Sequence, residues 1–278
     1  MRAFKLMKIK FIERNETFLR ILFLVVIFMV SLFILAPIFA VIYYSFGPET
    51  RFVFPPPSLT LKWYINLVQH PEIKWSFILS LNIVLYVIPI SAAFSIPASL
   101  ALVRYNFPAK SLINLLFLSP LMIPTLILGL ALLQVYSLYG LFDSKIGVVV
   151  AHVIITIPYF IRSVMASLYD VDRSLEEAAS LLGAGPLRIF FKITLPIIKP
   201  GIIAGTVFAF IISFDEFTTT FFVTGQSTIT LPVRIYNHIQ THNDPTVAAL
   251  STIMICFSFG IILIVNKLVG LEKMVIAE

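Results

Sequence analysis

The sequence predicts an all-α membrane protein of six transmembrane helices, forming a single transmembrane domain over residues 1–278. Three observations carry that prediction. Charged residues make up 12% of the chain and hydrophobic residues 59%, so the charged share is about half that of an ordinary soluble domain. Several uninterrupted apolar runs exceed the roughly 18 residues that mark a spanning helix. Alternating segments of about ten residues, the pattern of a membrane β-barrel, do not occur.

Taken in order, the chain opens with Arg2, Lys5, Lys8, Lys10, Arg14 and Arg20 ahead of an apolar run over 21–46. A signal-peptide core is only about 7–15 residues long, so this run is expected to persist as a first span, about 19–46, kinked at Pro37. The polar loop 47–75 holds Pro55-Pro56-Pro57 and an amphipathic piece over 59–68; three consecutive prolines favour extended chain. A second span follows at about 76–103, with Pro89 and Pro97 inside it, and then a basic turn over 104–111. The third span, about 112–136, contains Pro120 and Pro124, and a short loop with Asp143 and Lys145 leads to the fourth, about 146–168. A charged island occupies about 169–200. The fifth span is expected at about 201–223, and a polar loop over 224–246 precedes the sixth at about 247–269.

Lysine and arginine placement orients these spans, because cytoplasmic loops carry the excess. With the N-terminus inside, the inner segments hold fifteen basic residues and the outer loops five. Both termini and the charged island are therefore expected in the cytoplasm, and the net charge of +6 reflects orientation, not nucleic-acid binding. Pro89, Pro97, Pro120, Pro124 and Pro158 each free a backbone carbonyl that hydrocarbon cannot satisfy. Such helices pack on one another or line a watery path, which favours a moving transporter.

Enzymatic chemistry finds little support. The one cysteine, Cys256, excludes an intrachain disulfide; His70, His152, His238 and His242 form no metal-ligand spacing with it, and His238 and His242, four apart, lack a third ligand. No phosphate-binding Gly-rich loop, nucleophile elbow or His-Glu-x-x-His pair is present.

The charged island reads as a docking element. Ser174-Leu175-Glu176-Glu177 has the form of a capping box, in which the Ser174 hydroxyl accepts from the Glu177 amide. Ala178 and Ala179 favour helix, and Gly183 suits a left-handed C-terminal cap. A second short helix is expected from Pro186, carrying Arg188, Phe190, Phe191 and Lys192, with Leu195-Pro196 as its stop. About thirty residues with two capped helices is more than two neighbouring spans need.

Glu177-Ala178-Ala179, three residues, Gly183, nine residues, Ile193, one residue and Leu195-Pro196 together resemble the signature of ABC importer permeases. Six spans with both ends inside are similar to that family along the whole chain. The resemblance implies a type I ABC importer permease fold in a bacterial inner membrane, with the knob a coupling helix seated in a cleft of an ATP-hydrolysing subunit. It further implies an ATPase dimer, a second permease as heterodimer partner and an extracytoplasmic solute-binding protein. The chain itself would then need no cofactor, since ATP is bound by the partner.

The fifth span contains Asp215 and Glu216, the only acids in any expected span. At about 1.5 Å per residue, Asp215 lies about 21 Å along that helix, where an unpaired carboxylate is expensive. On a continuous helix it would share a face with Thr218, Thr219 and Phe222, beside a stripe of Phe210, Phe214, Phe217 and Phe221. Acids and aromatics together can draw a cation through charge and cation–π contact. Asp215, Glu216, Phe214, Phe217 and Thr219 are therefore the candidate substrate path; the alternative is that the acids pair with a second permease. Ser213-Phe214-Asp215-Glu216-Phe217, Phe221 to Gly225, Thr230-Leu231-Pro232-Val233 and Asp244-Pro245 resemble the second permease of spermidine/putrescine importers. That resemblance implies a polyamine cargo, with ferric iron or another small solute as the alternative. A short surface helix is expected over 231–240. A self-contained channel or ion-driven carrier is the remaining class, and it leaves the charged knob unexplained.

Overall fold

The structure, a computed structural model, describes the backbone over residues 2–48, 53, 55, 57–169, 172–242 and 244–269, and their side chains except those of 2–18, 264–266, 268 and 269. The expectations placed on the basic side chains from Arg2 to Arg14, on Arg51, Pro56 and Lys273 lie outside those residues. The chain falls into two units, Met1–Leu67 with Asn243–Ile253, and Val68–His242 with Met254–Glu278.

In the first unit, helix α1 (Arg2–Ser45) is apolar all round from Ile21 onward, and each side chain over 19–40 is exposed. A helix apolar all round has no stable place in water and faces lipid or another span. Its end is anchored by α2 (Lys62–Gln69), the amphipathic piece expected over 59–68. Trp63 is buried and its indole N–H donates to Gly47 O at 2.7 Å, while Ser45 Oγ lies 2.7 Å from Tyr64 Oη.

The second unit is built on α6 (Lys145–Tyr169), which packs along α3 (Pro71–Arg104) and α10 (Lys199–Asp215). In α3, buried Ser76, Ser80, Ile83, Val87, Ser91, Ser95 and Ser99 recur every three or four residues and so form one face. Lipid tails give helices no hydrophobic reason to associate, so small residues and hydrogen bonds do that work. Ser91 Oγ lies 2.8 Å from Thr156 Oγ1, and Ser99 Oγ donates to Ile161 O at 3.2 Å. α10 packs against both α6 and α3, and Gly201 and Gly205 let it approach α6: a Cβ on Gly205 would lie 2.8 Å from the Phe160 ring.

Two of the six expected spans are broken. The third is split into α4 (Lys110–Leu118), a 3-10 turn (Ser119–Leu121) and α5 (Thr125–Tyr139), bent by 100°. Pro124 is extended, at ψ 130°, and the residue before a proline is steered away from helix, so the kink becomes a corner. The fifth is split between α10 and α11 (Thr218–Val223). Among the described residues four helices are each long and apolar enough to cross a membrane, and up to six spans result when two bent pairs, Lys110–Leu121 with Thr125–Tyr139 and Pro186–Ile197 with Lys199–Asp215 (67°), are each counted as one. The sixth is α13 (Thr246–Val269), and the short helix expected over 231–240 is present as α12 (Leu231–Thr241). Its first turn, Leu231 to Val233, is buried, so that end is inserted in the second unit and not laid on a surface.

At the start of α6, Asp143 adopts φ 52° and locks its own loop to the 225–228 turn. Its Oδ1 accepts from the amides of Gly225 (2.9 Å) and Thr228 (3.0 Å) and from the Thr228 hydroxyl (2.7 Å), and its Oδ2 accepts from the Ser227 amide (3.0 Å). Burial opposes the charge, but the Thr228 hydroxyl and the Ser227 and Gly225 amides outweigh it and hold the carboxyl at about 2. A depressed carboxyl stabilises the fold above the pKa of the unfolded chain and loses that contribution as pH falls through its folded value. Detergent-solubilised protein is thus expected to lose thermal stability between about pH 4 and pH 2. Asp143→Ala is expected to cost about 1–3 kcal/mol at neutral pH. An unchanged melting midpoint in that variant contradicts the lock.

Candidate functional site

The charged island forms a knob of helices at the end of α6. α7 (Ser174–Leu181) does not begin with the expected Ser174–Glu177 capping box. The Glu177 amide donates to Arg173 O at 3.1 Å, and the Ser174 amide donates to Asp172 Oδ1 at 2.9 Å. Asp172 is the capping oxygen because Ser174 is already inside the helix, where its side chain no longer reaches Glu177. Those Ser174 hydrogen bonds hold the Asp172 carboxyl below its ordinary range.

The other end follows the expectation. Gly183 has φ +83°, its amide donates to Ser180 O at 2.9 Å, and the Ala184 amide donates to Ala179 O at 3.0 Å. These two bonds are the Schellman pattern, which satisfies carbonyls that the helix leaves open. α8 (Pro186–Ile189) follows with proline in its first turn. Leu195-Pro196 does not stop it. The chain widens into a π turn (Phe190–Thr194), the Leu195 amide donates five residues back to Phe190 O, and α9 (Leu195–Ile197) continues. A π turn shifts the hydrogen-bond register, which accommodates a proline that has no N–H to give.

Glu177, Ala178 and Gly183 lie on the open surface of the knob with Pro196, Ala179 is half-buried, and Ile193 and Leu195 are half-buried in and beside the π turn. The tip carries more than the small residues stressed by the motif. Leu181 and Leu182 are each 89% exposed, and Leu187 of α8 and Phe191 of the π turn are exposed as well. Large exposed apolar side chains on a charged segment are of the kind that another protein covers. Their place immediately before Gly183 and after Pro186 was the available signal.

The second constellation is the break in the fifth span. α10 ends at Asp215, Glu216 is extended (ψ 112°), and α11 starts at Thr218. Asp215 and Thr218, Thr219 and Phe222 therefore do not share a face of one continuous helix. Glu216 turns back to cap α11: its Oε1 accepts from the Thr219 amide at 2.7 Å, and its carbonyl accepts from the Thr220 hydroxyl at 3.0 Å. Glu216 remains half-buried and Asp215 is exposed. The buried Thr219 donates its hydroxyl to Thr125 O at 3.2 Å, which brings the break beside the corner of the third span. Phe214 is buried against Phe77, Phe210 and Phe257, with centroids 6.0, 5.5 and 5.5 Å away. Phe217 packs on Tyr236 (5.0 Å) and Phe221 (5.5 Å). The aromatic stripe is thus divided between two clusters.

His152, which sequence reading weighed only as a metal ligand, spans this break. Its Nδ1 lies 2.8 Å from Ser213 Oγ on α10 and its Nε2 lies 2.8 Å from Thr220 Oγ1 on α11. Both partners are hydroxyls, able to donate or accept, so a fully buried imidazole with one N–H is satisfied at both nitrogens. Irregular backbone at membrane depth persists only inside protein or along a water-filled cavity. Here it leaves the carbonyl end of α10 and the Asp215 carboxylate together, a negatively polarised point. Among the described residues no group of His, Cys, Asp or Glu is arranged to hold a metal.

Residues 92–271 match the family described as "Binding-protein-dependent transport system inner membrane component". The chain is 30% identical over 230 residues to the putrescine transport system permease protein PotI of Escherichia coli (strain K12), covering 80% of this chain and 82% of that protein. It is 28% identical over 237 residues to the spermidine/putrescine transport system permease protein PotC of Haemophilus influenzae, covering 85% of this chain and 92% of that one. Its fold is similar to a chain of a bacterial ABC transporter involved in the import of the acidic polysaccharide alginate, with TM-score 0.67 and 17% identity, over 92% of this chain and 97% of that chain.

Proposed function

The chain belongs to the binding-protein-dependent transport system inner membrane components, a multi-pass membrane family, and from that premise we propose that it forms half of the path of an ATP-driven polyamine importer. In this reading both termini and the knob are cytoplasmic. The apolar tip, Leu181, Leu182, Leu187 and Phe191, docks into a cleft of a partner ATPase dimer, which alone binds ATP. A second permease completes the path, and an extracytoplasmic binding protein delivers the solute. The chain performs no bond chemistry. ATP binding and hydrolysis in the partner move the knob, and the knob moves the spans between outward- and inward-open states.

The observation that carries the cargo reading is Asp215, exposed where α10 ends at a break in its span. A carboxylate beside the negative end of a helix attracts cations and repels anions. The named cargo of the two permease relatives, putrescine and spermidine, fits that sign. Cation–π contact from Phe217 and Tyr236 on the far side of the break can add to it.

Asp215→Asn with Glu216→Gln is the corresponding test. The glutamine keeps the oxygen that caps α11, so charge is removed with little change of shape. Loss of the two carboxylates, of which Asp215 is the exposed one, is expected to lower the apparent affinity for labelled putrescine at least about tenfold, which is ~1.4 kcal/mol. Unchanged uptake kinetics remove these acids from the path.

A further inference from the structure

We propose that Glu176 is the joint that couples the knob to α3, a positioning role that rests on the docking reading of the knob. Consecutive glutamates on α7 face different ways. Glu177 is exposed and pairs with Arg173 one turn back, Nε to Oε1 at 3.3 Å. Glu176 points into the chain: its side chain is 17% exposed, and its Oε1 lies 3.4 Å from Nη2 of Arg104, which is 11% exposed. The same oxygen accepts from the buried Thr194 hydroxyl at 2.8 Å. One carboxylate oxygen thus joins α7, the π turn that leads to α10, and the last residue of α3.

The connection is polar and narrow. α7 packs on α8 and on the π turn, not along α3. A cleft of about 370 Å³ lined by Leu100, Tyr105, Ile189 and Phe190 lies around the pair. Arg173 adds a second stitch, its Nη1 donating to Arg104 O at 3.5 Å. Through its own backbone α7 is continuous with α6 and, by way of α8, with α10. α3 already packs along α6 and on α10, and Glu176 adds a direct polar tie from α7 to its end. Displacement of the knob therefore reaches the end of α3 directly through this ion pair, beside the helix packing. With both side chains little exposed, the ion pair is screened less than one on the open surface. Without it the end of α3 follows the knob only through helix packing.

The experiment uses the complete transporter, this chain with its partner subunits and binding protein, in proteoliposomes, and reads labelled putrescine imported per ATP hydrolysed. Glu176→Gln is expected to co-purify with the ATPase and hydrolyse ATP at the normal rate while import per ATP falls at least about fivefold, the lower end of ordinary coupling energies. Arg104→Lys, which keeps the charge, is expected to retain most of the ratio. The exchange Arg104→Glu with Glu176→Arg is expected to restore part of what either single change loses. A merely structural role would lower the amount and melting point of the protein without moving the ratio. An unchanged ratio in Glu176→Gln, or an exchange no better than the single changes, overturns the joint. If Gly183→Arg also leaves the ratio unchanged, the docking reading itself falls; if it uncouples while Glu176→Gln does not, only the joint does.

Discussion

Gly183→Arg is expected to lower uptake at least about tenfold while the protein remains at normal abundance in the membrane, an effect of 1.4 kcal/mol or more on coupling. Gly183 has φ +83°, and a Cβ there would meet nothing within 4 Å. The cost of a side chain is therefore conformational, about 1–2 kcal/mol for a left-handed residue, and not a clash. It is spent where the Schellman bonds fix the direction of the chain into α8. Arginine adds bulk and charge beside Leu181 and Leu182, the most exposed apolar side chains of the knob. Gly183→Ala carries the strain alone and is expected to fall between wild type and Gly183→Arg. Uptake assays with membrane quantification separate these cases. Normal transport by Gly183→Arg contradicts the coupling role.

His152→Ala is expected to be the most destabilising of the single substitutions considered. It removes a side chain hydrogen-bonded to both halves of the fifth span, leaving the Ser213 and Thr220 hydroxyls without the ring and opening a cavity between α6, α10 and α11. Polar truncation and cavity terms together cost about 2–4 kcal/mol, with each interhelical hydrogen bond in lipid at the low end of its usual value. The melting midpoint of the purified protein is expected to fall by about 5–10 °C. Uptake should fall with it, because the break loses its shape. His152→Gln can reach one hydroxyl and is expected to recover part of the loss. A midpoint within about 1 °C of wild type contradicts a structural role for His152 across the break.

What could be read from the chain divides along a physical line. Hydropathy and capping are local, so the spans, α2, α12 and the Gly183 cap were legible. Pro124 marked a bend, but not a corner of 100°, because the angle depends on what α4 and α5 pack against. The break at Glu216 carries no glycine or proline. It comes from the carboxylate turning back to the Thr219 amide, a competition between side chain and helix that hydropathy does not register. His152 lies 61 and 68 positions from its partners, and Arg104 lies 72 from Glu176. Such pairings exist only once the helices are packed. The motif singled out Glu177, whose side chain faces outward, and passed over the neighbour that holds the knob to its own chain.

The most direct measurement is ATP-dependent accumulation of labelled putrescine in proteoliposomes that contain this chain, its partner permease, the ATPase and the binding protein. Accumulation is expected to require ATP and every component, and to be lost with Gly183→Arg. Uptake by the purified chain alone without ATP, or a complete system that hydrolyses ATP but imports another solute and no polyamine, contradicts it.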